Sequence, residues 1–203
     1  MTDISTIIAA TIQHLTLTYA SLAISIIIGI PLAIVSIYNK KLSSFINALA
    51  NLVQAVPSFA VVAIVVPLLG IGFTPAIIAI MLRSLLPIVK NTNIGLSDID
   101  KSLIDAAEGI GLTKWQIIKK IRFPNAYPSM FAGIKFAAIL ANSVAIITAI
   151  IGSGGLGTLV FLGLASLNMK NLLAGSLPAI GIAIFIDISF SWIENRIRPT
   201  NLE

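Results

Sequence analysis

Apolar tracts of membrane-spanning length are what most constrain this chain. A helix needs about twenty successive, mainly apolar residues to cross the hydrocarbon core of a bilayer. Five stretches meet that length: residues 15–38, 44–69, 74–94, 125–151 and 171–193. The expectation is an all-α, polytopic membrane protein, a single transmembrane domain over residues 1–203 with five transmembrane helices. Charged residues make up only 10% of the chain and the mean hydropathy is +1.01, whereas a soluble domain carries about a quarter charged residues. Residues 1–13 are mildly amphipathic and too polar to span. They also lack the basic start and small-residue cleavage site of a secretory signal, so no segment is expected to be removed.

The breaks between the tracts set the expected orientation. Lys40 and Lys41, the basic residues from Lys90 to Arg122, and Arg196 with Arg198 fall on one side, and Lys170 alone falls on the other. Cytoplasmic loops carry the excess of Lys and Arg, which puts the N-terminus outside and the C-terminus in the cytoplasm. The net charge of +5 is spread along these loops rather than gathered in a domain, so no nucleic-acid partner is expected. The chain has no Cys, which excludes disulfides, thiol redox chemistry and thiolate metal sites.

One break is long and dense in charge: the cytoplasmic loop 95–123, between the third and fourth spans. Ser102 with Asp105, and Thr113 with Gln116, stand three residues apart and predict capping boxes that open two short helices. Gly109 and Gly111 lie between them, where a turn needs a residue that tolerates positive φ. Pro124 marks where the chain re-enters the bilayer. A polar helix–turn–helix held outside the membrane predicts a grip on a soluble partner.

Polar residues inside the spans form two groups. Thr18, Ser21, Ser25 and Gly29 fall three or four apart and predict a helix-packing seam. Asn47, Asn51, Gln54 and Ser58 share one face of the second span; they fit either interhelical hydrogen bonding or the lining of a translocation path, to which Asn142 and Ser143 of the fourth span are further candidates. Arg83, Lys135 and Asp187 are ionisable residues at membrane depth. Lys135 is expected to pair with Asp187, with Arg83 as the alternative partner; a gate or a substrate contact is the other reading of these charges. Gly70-Ile71-Gly72 predicts a tight external turn, and 152–170 a glycine-rich connection that is partly re-entrant.

Enzyme chemistry finds no footing. Gly152-Ser153-Gly154-Gly155-Leu156-Gly157 spells G-x-G-x-x-G, but a dinucleotide site needs a strand before it and here a membrane span precedes it. No G-K-[ST] sequence is present for ATP. The lone His14 has no nucleophile or metal partner nearby in sequence, and paired carboxylates are missing. The chain is expected to be no enzyme, to hold no metal and to need no cofactor.

Asp105-Ala106-Ala107, then Gly111, then, after nine intervening residues, Ile121-Arg122-Phe123-Pro124 resembles the EAA loop of ABC-importer permeases, with Asp for the usual Glu and Phe for the usual Leu. Gln54-Ala55-Val56-Pro57-Ser58, Leu86-Pro87-Ile88, Gly133-Ile134-Lys135 and the stretch from Ile151 to Gly157 are similar to the osmoprotectant branch, which carries glycine betaine, carnitine, choline and related quaternary ammonium solutes. The resemblance implies a pore-forming permease subunit in the plasma or inner membrane, surrounded by lipid. It implies three protein partners: a second permease subunit in a homo- or heterodimer, an extracytoplasmic substrate-binding protein, and a cytoplasmic ATP-binding subunit. Asp105, Ala106, Ala107, Gly111, Ile121, Phe123 and Pro124 would couple this chain to the last of these. Methionine-type permeases share the five-span core, so an importer of methionine, another amino acid or another small solute is an alternative, and a non-transporting membrane anchor would use the same loop to hold a soluble partner. An anchor, however, needs no aligned polar stripe.

Overall fold

The computed structural model describes residues 3–197, which form nine α-helices and no β-strand; Arg198, part of the expected basic tail, lies outside the described residues. Helix α1 (Ile4–Ile37) begins well before the expected entry at residue 15. Its polar start is tolerated because Thr11 and Thr16 fold their hydroxyls back onto the carbonyls of Ile7 and Ile12, at 2.7 and 2.8 Å.

The expected second span, 44–69, is not one helix. It divides into α2 (Lys40–Ala55) and α3 (Ser58–Leu69), whose axes meet at 102°. The reason is local. Pro57 disfavours the helical conformation at the residue before it, and Val56 is accordingly extended, at φ −72° and ψ 129°. Among the described residues four helices are therefore long and apolar enough to cross a membrane singly, or five spans if the bent pair counts as one.

Gly70 and Gly72, at φ +81° and +114°, make the tight turn into α4 (Phe73–Ser97). After it come α5 (Lys101–Gly109) and α6 (Lys114–Ile117). A π-helical turn over Ile118–Arg122 then leads without a break into α7 (Phe123–Thr148). Lys114–Ile151 is thus one helical run of 38 residues, so the second short helix of the polar loop is continuous with the fourth span. The glycine-rich connection holds α8 (Leu156–Ala165), which packs on the last helix, α9 (Met169–Ile197).

Helix α4 is the centre of the bundle, with α1 on one side and α7 on the other. Leu17, Val62, Ile80, Ala141 and Val144 form the main core where these helices and α3 meet. Lipid tails are as apolar as a side chain, so close backbone approach rather than hydrophobicity holds such helices together. Thr18, Ser21, Ser25 and Gly29 are all buried in α1. Ser21 and Ser25 donate to the Ile77 and Met81 carbonyls of α4 at 3.3 and 3.2 Å, which makes this stripe the packing seam. On the other flank a Cβ at Gly133 of α7 would stand 2.6 Å from that of Asn91 and 3.1 Å from the Pro87 carbonyl oxygen.

Candidate coupling loop and polar path

The polar loop is built by its caps. Helix α5 is capped by Asp100, whose carboxylate accepts the Ser102 backbone N–H at 2.8 Å. The expected Ser102–Asp105 box is not used, because the anionic cap two residues earlier already serves the positive end of the helix. That backbone bond, with help from the Ser102 hydroxyl, holds the Asp100 carboxyl below the usual carboxylate range. The Thr113–Gln116 box does form: Thr113 Oγ1 accepts the Gln116 N–H at 3.3 Å, and Gln116 Oε1 accepts the Thr113 N–H at 2.8 Å.

Between these caps α5 ends in a Schellman turn. Gly111 N–H donates to Glu108 O at 2.9 Å and Leu112 N–H to Ala107 O at 3.0 Å. Gly111 sits at φ +83° with open space around it, so backbone conformation, not crowding, calls for glycine. Gly109 is the last residue of α5 rather than part of the turn. Asp105 and Ala106 are exposed, Ala107 is buried, and Ile121, Phe123 and Pro124 are half-buried at the root of α7. Phe123 meets Tyr127 edge to face at 5.4 Å. Arg122 donates to the Leu96 carbonyl at 2.6 Å and ties this root to the end of α4.

Two prominent features escaped the sequence reading. Ile110 and Trp115 are 78% and 60% exposed on the helix–turn–helix, apolar knobs that, with the exposed Leu103 of α5, interrupt its polar surface. Neither fits a periodic pattern, because each stands beside a turn whose geometry only the structure reveals. Beside them lies a cleft of about 250 Å³, lined in part by Tyr38, Glu108, Lys114 and Arg122.

The polar stripe of the second span is reshaped by the bend. Asn47, Asn51 and Gln54 stay on α2, with Asn51 and Gln54 exposed, while Ser58 opens α3 beyond the corner. Two cations of α4 reach this region. Lys90 Nζ donates to Asn51 Oδ1 at 3.0 Å. Arg83 Nη1 donates to the carbonyls of Val53 and Val56 at 2.6 and 3.0 Å, which satisfies the frayed end of α2 at the break.

The remaining candidates separate. Lys135 pairs with Asp187 at 2.6 Å and donates to Ser191 Oγ at 2.8 Å, so Arg83 is not the partner of Asp187. Asn142 is buried: its amide donates to Ala179 O at 3.2 Å, and its Oδ1 stands 3.0 Å from His14 Nε2. Ser143, its neighbour, is exposed and bonds back to Ile139 O at 3.1 Å. His14 thus has a partner, brought from a distant part of the chain. Next to it Gln13 grips the glycine loop, accepting the Gly155 N–H at 3.0 Å and donating to Ser153 O at 3.2 Å. The G-x-G-x-x-G sequence follows a helix rather than a strand, and Gln13 takes the Gly155 amide. Among the described residues no three of His, Asp and Glu gather where a metal ion would bind.

Known proteins resemble this chain in sequence and in fold. The family described as binding-protein-dependent transport system inner membrane component matches residues 25–199. The carnitine transport permease protein OpuCB of Listeria monocytogenes is 34% identical over 193 residues, covering 95% of this chain and 88% of its own. The glycine betaine/carnitine/choline transport system permease protein OpuCB of Bacillus subtilis (strain 168) is 34% identical over 191 residues, with 94% and 88% covered. The osmoprotectant import permease protein OsmW of Salmonella typhimurium is 37% identical over 193 residues, with 93% and 88% covered. Among solved structures, a chain of the MetNI methionine ABC transporter in inward-facing conformations superimposes with a TM-score of 0.83 at 20% identity, over 95% of this chain and 96% of that one. That likeness shows the fold.

Proposed function

Because this chain belongs to the binding-protein-dependent transport system inner membrane component family, we propose that it is the pore-forming permease of an ATP-driven importer of quaternary ammonium osmoprotectants, such as glycine betaine, carnitine or choline. The observation that carries the solute class is that relatives named for these solutes align with more than nine-tenths of the chain. The excess of basic residues on one side of the bundle supports a cytoplasmic polar loop and an outside N-terminus. Asp105, Ala106, Ala107, Gly111, Ile121, Phe123 and Pro124 build that loop, and exposed Ile110 and Trp115 give it an apolar centre suited to docking on an ATP-binding subunit. ATP hydrolysis belongs to that subunit. A second permease chain, the same or a related one, completes the pore, and a separate binding protein delivers the solute.

Within this reading Asn47, Asn51, Gln54, Ser58 and Ser143 supply a wet face to the path. Asn142, enclosed by His14 and Ala179, positions α7 instead. The test is ATP hydrolysis by the complex that co-purifies with this chain from its native membrane, with and without glycine betaine and the binding protein. Stimulation by the solute is expected. A co-purifying ATPase indifferent to glycine betaine, carnitine and choline would overturn the solute class, and no ATPase at all would overturn the permease reading.

A further inference from the structure

Carboxylates are distributed very unevenly in this chain. No Asp or Glu occurs between Asp3 and Asp98, so α1, α2, α3 and α4 have none within them, and α7 has none either. At membrane depth the described residues offer only Asp187 of α9, which Lys135 already holds. Arg83 and Lys90 of α4 therefore have no counter-charge within the described chain. They are seven residues apart, two turns, so they share one face about 10 Å apart along the axis. Both are directed at α2: Arg83 to the carbonyls at its end, Lys90 to the Asn51 side chain. Neither is saturated by these bonds. Arg83 Nε is buried without an acceptor, only Nη1 of its guanidinium is bonded, and Lys90 makes a single neutral bond.

The seam between α2 and α4 has two unlike flanks. One is a wholly apolar groove of about 360 Å³, lined by residues that include Leu49, Val53, Leu82 and Leu86. The other carries Lys90 on Asn51, while Arg83 reaches the Val53 and Val56 carbonyls at the end of α2. A charged head group in a membrane persists where a partner or water reaches it; with Nη1 spent on two carbonyls and Nε buried, Nη2 is what Arg83 has to offer a carboxylate oxygen.

We propose that Arg83 and Lys90 are two successive stations for the carboxylate of a zwitterionic solute, so that the permease itself favours carboxylated over uncarboxylated quaternary ammonium compounds. The inference rests on the importer reading above and adds a selectivity that does not reside in the binding protein. The solute's carboxylate replaces the missing counter-charge at Arg83, near mid-span, and again at Lys90, two turns closer to the polar loop. The quaternary ammonium end gains nothing from these cations. Choline, with a hydroxyl in place of the carboxylate, leaves both unpaired. A phospholipid phosphate offers similar anionic oxygens, and lipid composition separates the two sources.

The experiment uses the complete transporter in phosphatidylcholine vesicles, with and without anionic phosphatidylglycerol, and measures uptake of radiolabelled glycine betaine and choline. Lys90→Gln is the first variant, since Lys90 does not hold the end of α2 as Arg83 does. The ratio of kcat/KM for glycine betaine to that for choline should fall about tenfold, the worth of one charge-assisted bond. Lys90→Arg, which keeps the charge, should restore it. An unchanged ratio, an equal loss for both solutes, or a change that follows the anionic lipid content would overturn the inference alone. A wild-type complex that moves neither solute would overturn the osmoprotectant reading and this inference with it.

Discussion

Lys135 and Asp187 show how far single residues were legible. Opposite charges at membrane depth need each other; that requirement left Lys135 and Arg83 both open as partners of Asp187, and the structure selects Lys135 at 2.6 Å. An unpaired charge there costs about 2.5–3.5 kcal/mol on insertion scales. Lys135→Met and Asp187→Asn should each lower the yield of assembled transporter, and the double variant should recover much of it. Additive losses in a quantitative membrane immunoblot would contradict this. Asn142 was less legible, because its partners His14 and Ala179 are chosen by the packing of α1, α7 and α9 rather than by any spacing. Asn142→Ala leaves His14 Nε2 and a carbonyl bare, so stability in detergent should drop by about 1–3 kcal/mol. Ser143→Ala removes only a bond within its own helix and should stay within about 0.5 kcal/mol. A comparable drop for both would show that burial does not separate them.

Among elements, the Thr113–Gln116 cap and the glycine turns were foreseen, the cap of α5 was misplaced by two residues, and the helix connections were the hardest. Gly111 follows from φ alone, and the structure gives it φ +83°. Gly111→Val forces a β-branched residue into the left-handed region, at a cost of about 1–2 kcal/mol. This should splay α5 from α6, leaving membrane insertion intact while ATP hydrolysis no longer drives uptake. Tight coupling in that variant would argue against the loop as the transmission point. Pro57 carried the signal for the α2–α3 corner, but a tract of continuous apolarity around it reads as one span when length is the only measure. The π-helical turn at Ile118–Arg122 left no trace in the pattern, since a shift from i+4 to i+5 bonding changes no residue type.

For the whole molecule, the all-helical, membrane-spanning class was visible at once, with five spans if the bent α2–α3 pair counts as one, whereas the exposed apolar residues of the polar loop were not. Ile110 and Trp115 stand exposed where water is expected. Apolar anchors of this kind dominate binding energy when buried in a partner pocket. Ile110→Ala and Trp115→Ala together should weaken retention of the ATP-binding subunit by at least about 2 kcal/mol, read by pull-down at graded subunit concentration. Unaltered retention would place the contact elsewhere.

The unbroken run from Lys114 to Ile151 has a mechanical meaning. Its 38 residues make a rod about 57 Å long, and Gly133, pressed against the Pro87 carbonyl and Asn91 of α4, lies at its midpoint. Tilted as one body about that contact, with no bend at the π-helical turn or Pro128, the run would be a lever of the first kind with arms of equal length. Tilting it by about 5° carries each end about 2.5 Å in opposite directions. The far end holds the Gly72 N–H through Ile151 O at 2.7 Å. A push on the polar loop that tilts the whole run would then reach the turn before α4 reversed in sign.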